Sequence, residues 1–145
     1  MRPVLLLALV CFACGKPTAS ENQNSPKFQQ YYNQGEQLYV QHCSNCHQKT
    51  GTGLGLVYPP LNKSDFVDQH LEEVICLMRN GRKGELIVNG KMYNQAMPPT
   101  TLSDLEIAEI ATYVYNSWGR DKGILEVNDV ALQLQRCDTI PSSSQ

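Results

Sequence analysis

The longest apolar run in this 145-residue chain, Val4 to Ala13, is about ten residues, half of the roughly 20 that a bilayer-spanning helix needs. A membrane span is thereby excluded for it. An excess of basic charge is also lacking. Twelve Lys and Arg against fourteen Asp and Glu give a formal net charge of −2, so nothing points to nucleic acid. No internal repeat occurs, which excludes a repeat array. Apart from Cys11-Phe12-Ala13-Cys14 in the N-terminal apolar stretch, no second C-x-x-C and no H-x-x-x-H is present, so a four-ligand zinc site at Cys43 and Cys46 lacks half its donors.

What the chain does have begins at its N-terminus. Arg2, the apolar run and the small Ala13 before Cys14 form the pattern of a secretory signal, expected over residues 1–13. Its end resembles a bacterial lipoprotein box, with Cys14 as the residue that would carry lipid. Cys11 departs from that box, which usually has Leu or Val there, and an ordinary cleaved signal is the alternative. Residues 14–27 are mainly polar and lack apolar periodicity, so they read as a lipidated N-terminus and flexible tether. Both readings place the protein outside the cytoplasm, in the periplasm or cell envelope, where thiols can take haem or form disulfides.

Cys43-Ser44-Asn45-Cys46-His47 is a C-x-x-C-H motif, the attachment pattern of c-type haem. Two thiols bond the porphyrin and the next residue, His47, supplies an axial iron ligand. Six cysteines are present, and removing the signal, lipid and haem cysteines leaves Cys76 and Cys137. An even remainder in an oxidising compartment suggests one disulfide, with two free thiols as the alternative. Leu71, Val74, Ile75 and Met78 make an apolar helical stripe, and Cys76 projects roughly 140° from Leu71, outside the expected core.

Three helices are predicted, over about Lys27–Cys43, over Asp68–Asn80 with Gly81 as its terminator, and from the capping box Ser103-Asp104-Leu105-Glu106 onward. Ile107, Ile110, Ala111, Val114 and Trp118 form one apolar face of the third, which Gly119 would end. Leu86 to Tyr93 reads as a short hairpin around Asn89-Gly90. Arg79, Arg82 and Lys83 form a small basic cluster whose ordinary reading is a solvated surface. The globular domain is expected over residues 28–119, with a C-terminal extension over 120–145. About 90 residues bury only a modest core, so an apolar prosthetic group would matter to its stability.

The second axial ligand decides the chemistry, because an occupied position leaves electron exchange and an open one allows oxygen or peroxide reactions. Met78 falls on a helical packing stripe and Met92 in the hairpin. His42 precedes the attachment cysteine on the same helix, and His70 stands among Asp68, Glu72 and Glu73. Met97 is preferred, since Pro98 and Pro99 hold it on a stiff extended segment.

Over residues 28–119 the sequence resembles the class I bacterial c-type cytochromes. Gly35 and Tyr39 precede the motif as in that family, and Tyr113 matches the aromatic that packs on the glycine. Pro59-Pro60-Leu61, Asn89-Gly90-Lys91-Met92-Tyr93, Met97-Pro98 and Asn116-Ser117-Trp118-Gly119 follow in the family's order. The resemblance implies an all-α, small cytochrome c fold, with three main helices around one covalent haem c and a hairpin before the methionine ligand. It also implies that the Pro60 carbonyl accepts from His47, that Leu61 packs on the haem and that Trp118 reaches the haem pocket.

The expectation is a monohaem carrier, not an enzyme, passing single electrons between redox proteins such as an oxidase, reductase or dehydrogenase. No small-molecule substrate is expected, and the membrane is reached through the lipid anchor. One alternative is a haem protein with an open sixth position that reacts with peroxide or a gas. A zinc or dithiol site at Cys43, Cys46 and His47 is the other.

Overall fold

Ser25 starts the first helix: its hydroxyl accepts the Phe28 N–H at 3.1 Å, and Pro26 occupies the first turn, where its missing N–H costs nothing. The computed structural model describes residues 23–137, and the statements that follow concern those. The expected signal, Cys14, most of the tether and residues 138–145 lie outside them. Helix α1 spans Pro26–His42 and buries Phe28, Tyr31, Gly35, Leu38 and Tyr39. Cys43, at φ −117°, ends it, and the rest of the attachment motif forms a separate single turn, α2, Ser44–His47.

The predicted second helix is two. Ser64 caps α3, Asp65–Gln69, by accepting from Val67 N–H, and His70 at φ −124°, ψ 48° interrupts the helical path before α4, Leu71–Asn80. Gly81 closes α4 at φ +67° as expected. The hairpin forms as β1, Leu86–Val88, against β2, Lys91–Tyr93, with Asn89 and Gly90 both at positive φ in its turn. Asp65 and Asn89 exchange two hydrogen bonds of 2.7 and 3.0 Å that pin this turn to the start of α3.

The capping box is complete at the start of α5, Asp104–Val114. Instead of one apolar face, all residues from Ile107 to Val114 are buried, because α1, α4 and a further helix pack around α5. Gly35 makes the α1–α5 crossing possible, since a Cβ there would overlap the Glu109 carbonyl. Helix α5 stops at Val114 rather than continuing to Trp118, because Tyr115 leaves helical dihedrals and Asn116 ties the reversal to Thr112 and Gly123. Residues 120–137, set apart as part of an extension, join the fold. Helix α6, Val127–Arg136, buries Val130 and Gln133 against α4 and α5. A disulfide joins Cys76 to Cys137. Cys76, expected outside the core, is therefore buried beneath α6. The three expected helices are thus joined by a fourth long one, and no helix among the described residues is long and apolar enough to cross a membrane.

Candidate functional site

Residues from helices α1 to α5, the irregular segment 48–64 and the segment 81–103 that holds the hairpin enclose an apolar cleft with two adjoining lobes. The first, of about 590 Å³, is walled by Tyr39, Phe66, Val74, Met78, Leu86 and Ile110 among others, and Cys43 lines it. The second, of about 520 Å³, is bordered by Cys46, Tyr58, Arg82, Tyr93 and Gln95. His47 and Met97 line both lobes.

His47 Nδ1 lies 2.9 Å from the carbonyl oxygen of Pro59. A carbonyl can only accept, so the proton sits on Nδ1 and Nε2 is left bare, the form that coordinates a metal. Burial lowers the His47 pKa, against the Pro59 bond, which raises it. The acceptor is thus Pro59 and not the expected Pro60. Of the two carbonyls, it is that of Pro59 that faces the ring. The choice is made by Gly53, at φ +67°, where a Cβ would strike the Tyr58 and Pro59 backbone. This close approach lets the loop fold back with Gly53 N–H on His47 O and Leu54 N–H on Tyr58 O. Pro60 and Leu61 do line the first lobe.

Cys43 and Cys46 are free and partly buried. Burial, aided by the charge of Cys46, pushes the Cys43 thiol up to about 11. At neutral pH it is a protonated thiol and a poor nucleophile, which disfavours a dithiol redox site. Among the described residues no three His, Cys, Asp or Glu side chains gather in a metal-binding cluster.

Met97 is held by the backbone on both sides, its N–H donating to Arg82 O at 2.9 Å and its carbonyl accepting from Arg82 N–H at 2.8 Å. Gly81 is required there twice over: by its φ, and because a Cβ would collide with the Met97 and Pro98 backbone. Met92 points from the hairpin into solvent, 57% exposed, and Met78 is buried in the wall of the first lobe. His42 and His70 are exposed, His70 stacking on Phe66.

Trp118, expected in the pocket, lines neither lobe. Its positive φ, 54°, turns the indole back onto Gly51, Tyr39 and Tyr113, so it touches the cleft wall only through Tyr39. Tyr39 itself donates to Gln48 O at 2.7 Å and is held protonated by burial. Sequence reasoning missed Pro59, Leu77, Leu86, Val88 and Arg82 as lining residues. For Leu77 a signal existed, since it shares a helix with the apolar stripe, but the short strand carries no periodicity long enough to read. Apolar walls, two free thiols next to a bare imidazole nitrogen, and a thioether bordering both lobes fit a covalently attached porphyrin.

Comparison with known proteins agrees. Residues 30–114 match the family described as cytochrome c oxidase, cbb3-type, subunit III. A cytochrome c-552 of Thermus thermophilus is 32% identical over 97 residues, covering 62% of this chain and 72% of the relative. A second cytochrome c-552 of that species matches at the same identity, covering 62% of this chain and 64% of the relative. The cytochrome c subunit of the quinone alcohol dehydrogenase of Gluconobacter oxydans is 27% identical over 103 residues, 68% of this chain but only 21% of that protein. Given the match over residues 30–114 and the shared length with cytochrome c-552, the chain belongs to the c-type cytochromes, electron-transfer proteins that carry covalently bound haem c.

Proposed function

We propose that this protein is a monohaem carrier of single electrons, with haem bonded to Cys43 and Cys46 and its iron held by His47 and Met97. Bound there, haem supplies a one-electron ferric/ferrous couple. The observation that carries the reading is the pairing of His47 and Met97, which both line the two lobes of one apolar cleft. Pro59 fixes the imidazole tautomer and Arg82 fixes the Met97 backbone, so neither donor has to be ordered when the group is bound. Leu61, Pro60 and the α4 and α5 side chains exclude water, and thioether ligation with burial favours the ferrous state.

Its partners are redox proteins. The Gluconobacter relative is named as the cytochrome subunit of a dehydrogenase, which supports a dehydrogenase among them. Export and a lipid on Cys14 would hold the carrier at the outer face of a bacterial membrane. The signal pattern of residues 1–13 supports this, and Cys14→Ser should release the protein to the soluble fraction. A spectroelectrochemical titration tests the carrier itself. One haem per chain and a single one-electron transition are expected. Peroxide turnover by the purified protein would instead establish an open sixth position.

A further inference from the structure

Helix α6 lies beyond residues 30–114, so the surface it builds is not accounted for by the family match. Besides closing the core, it stands beside α4 and leaves a groove between them. Leu71, Ile75, Leu125 and Val130 form an apolar floor, and Leu132, also lining it, is 51% exposed. Glu72, Glu126 and Asp129 line the groove as well, with Arg136 the one cation among the lining residues. Lys27 pairs with Glu126 at 2.6 Å, whereas Glu72 and Asp129 are exposed and join no ion pair among the described residues. None of the groove's residues lines either lobe of the cleft, so electron exchange there leaves it unused.

Apolar side chains bordered by unpaired carboxylates fit an amphipathic helix whose apolar stripe is flanked by Lys or Arg. The ten residues of α6 run about 15 Å, room for roughly three turns of such a helix. Anionic headgroups would be repelled by the same carboxylates, which argues against a lipid surface. A second copy of the chain fits no better, since no helix among the described residues holds more than one Lys or Arg. Nor do the flanking segments: residues 15–22 carry one Lys, one Glu and no Leu, Ile, Val, Met or aromatic, and residues 138–145 carry Asp138 and no cation. We propose that the groove between α4 and α6 docks a basic amphipathic helix of a partner protein, at a face separate from the cleft. The proposal goes beyond the carrier reading and does not depend on which residues hold the iron.

The experiment titrates the haem-loaded full chain with a synthetic helical peptide of about 14 residues, Leu on one stripe and Lys elsewhere, followed by amide chemical shifts. Shifts should move and saturate over residues 71–75 and 124–136, and affinity should fall with added salt. Glu72→Gln with Asp129→Asn should weaken binding about tenfold, and Leu132→Ala about fivefold, with the midpoint potential unchanged. All three positions are exposed or half-exposed, and Leu132→Ala decides alone should the double variant fail to fold. In producing cells, a photo-crosslinker replacing Leu132 should attach to a Lys- or Arg-bordered helix of another protein. Shifts centred on Tyr58 and Gln95 at the cleft, equal binding of a peptide with Glu for Lys, or unchanged affinity in the variants overturns the proposal. So do cross-links only to lipid, to a second copy or to residues 1–22 or 138–145, or none at all. A wild type lacking the red sulfur-to-iron band would remove the Met97 ligation and leave every one of these outcomes as informative as before.

Discussion

The helical half of the molecule and the irregular half that walls the cleft are stabilised by different means. Helices α1 and α6 each pack directly on α5, with Tyr32, Tyr39, Tyr113 and Trp118 in ring contact at 5.2–5.9 Å and a disulfide closing α6 onto α4. The segments around Pro59 and Met97 have no such packing across the cleft. They are held by a few backbone bonds, by Gly53 and Gly81 at positive φ, and by the pin between Asp65 and Asn89. A scaffold that completes its own core can present a cleft that is completed only by what it binds.

That contrast can be broken most drastically at the motif. Cys43→Ser with Cys46→Ser should abolish covalent haem, seen as colour lost from the polypeptide in acid and organic solvent. Amide exchange over residues 84–98 should then accelerate far more than over 107–114; equal acceleration would mean the scaffold is not self-sufficient. Cys137→Ser should cost about 2–4 kcal/mol in denaturant unfolding, because the disulfide spans 61 residues. Gly35→Ala should cost about 1–3 kcal/mol by overpacking the α1–α5 crossing, with the haem spectrum unchanged in the fraction that folds.

Smaller effects sharpen the same division. Ser103→Ala removes the α5 cap and should lower stability by about 1 kcal/mol without moving the redox potential. Bonds from the Ser103 N–H and hydroxyl hold the Glu106 carboxyl below the usual glutamate range. Its contribution is therefore present above that range and lost as pH falls through the lower folded value. The melting-temperature gap between wild type and Glu106→Gln should close on acidification, and a gap that widens would contradict this.

Legibility in the sequence followed the same line. Periodicity and caps located α1, the Gly81 terminator, the hairpin and the Ser103 box, because those signals are local. The break at His70 and the end of α5 at Val114 were missed, since one shows only in the His70 dihedrals and the other in a hydrogen-bonded reversal through Asn116, neither of which apolar periodicity reveals. At the site, the motif brought Cys43, Cys46 and His47 into view, and the prolines singled out Met97. Pro60 was one residue off because a loop fold at Gly53, not local pattern, selects which carbonyl faces the ring. Arg82 read as surface because nothing in a run of Arg, Lys and Gly reveals that its side chain turns inward. Likewise α6 was set apart as an extension, since only its packing against α4 and α5 shows it to be core.

The most direct test is the absorption spectrum of the purified, haem-loaded protein and of Met97→Ala. The wild type should show the weak red sulfur-to-iron band when oxidised and refuse carbon monoxide when reduced, while Met97→Ala should lose the band and bind the gas. A wild type without that band that takes up carbon monoxide as readily as the variant would contradict the assignment of an iron closed on both faces.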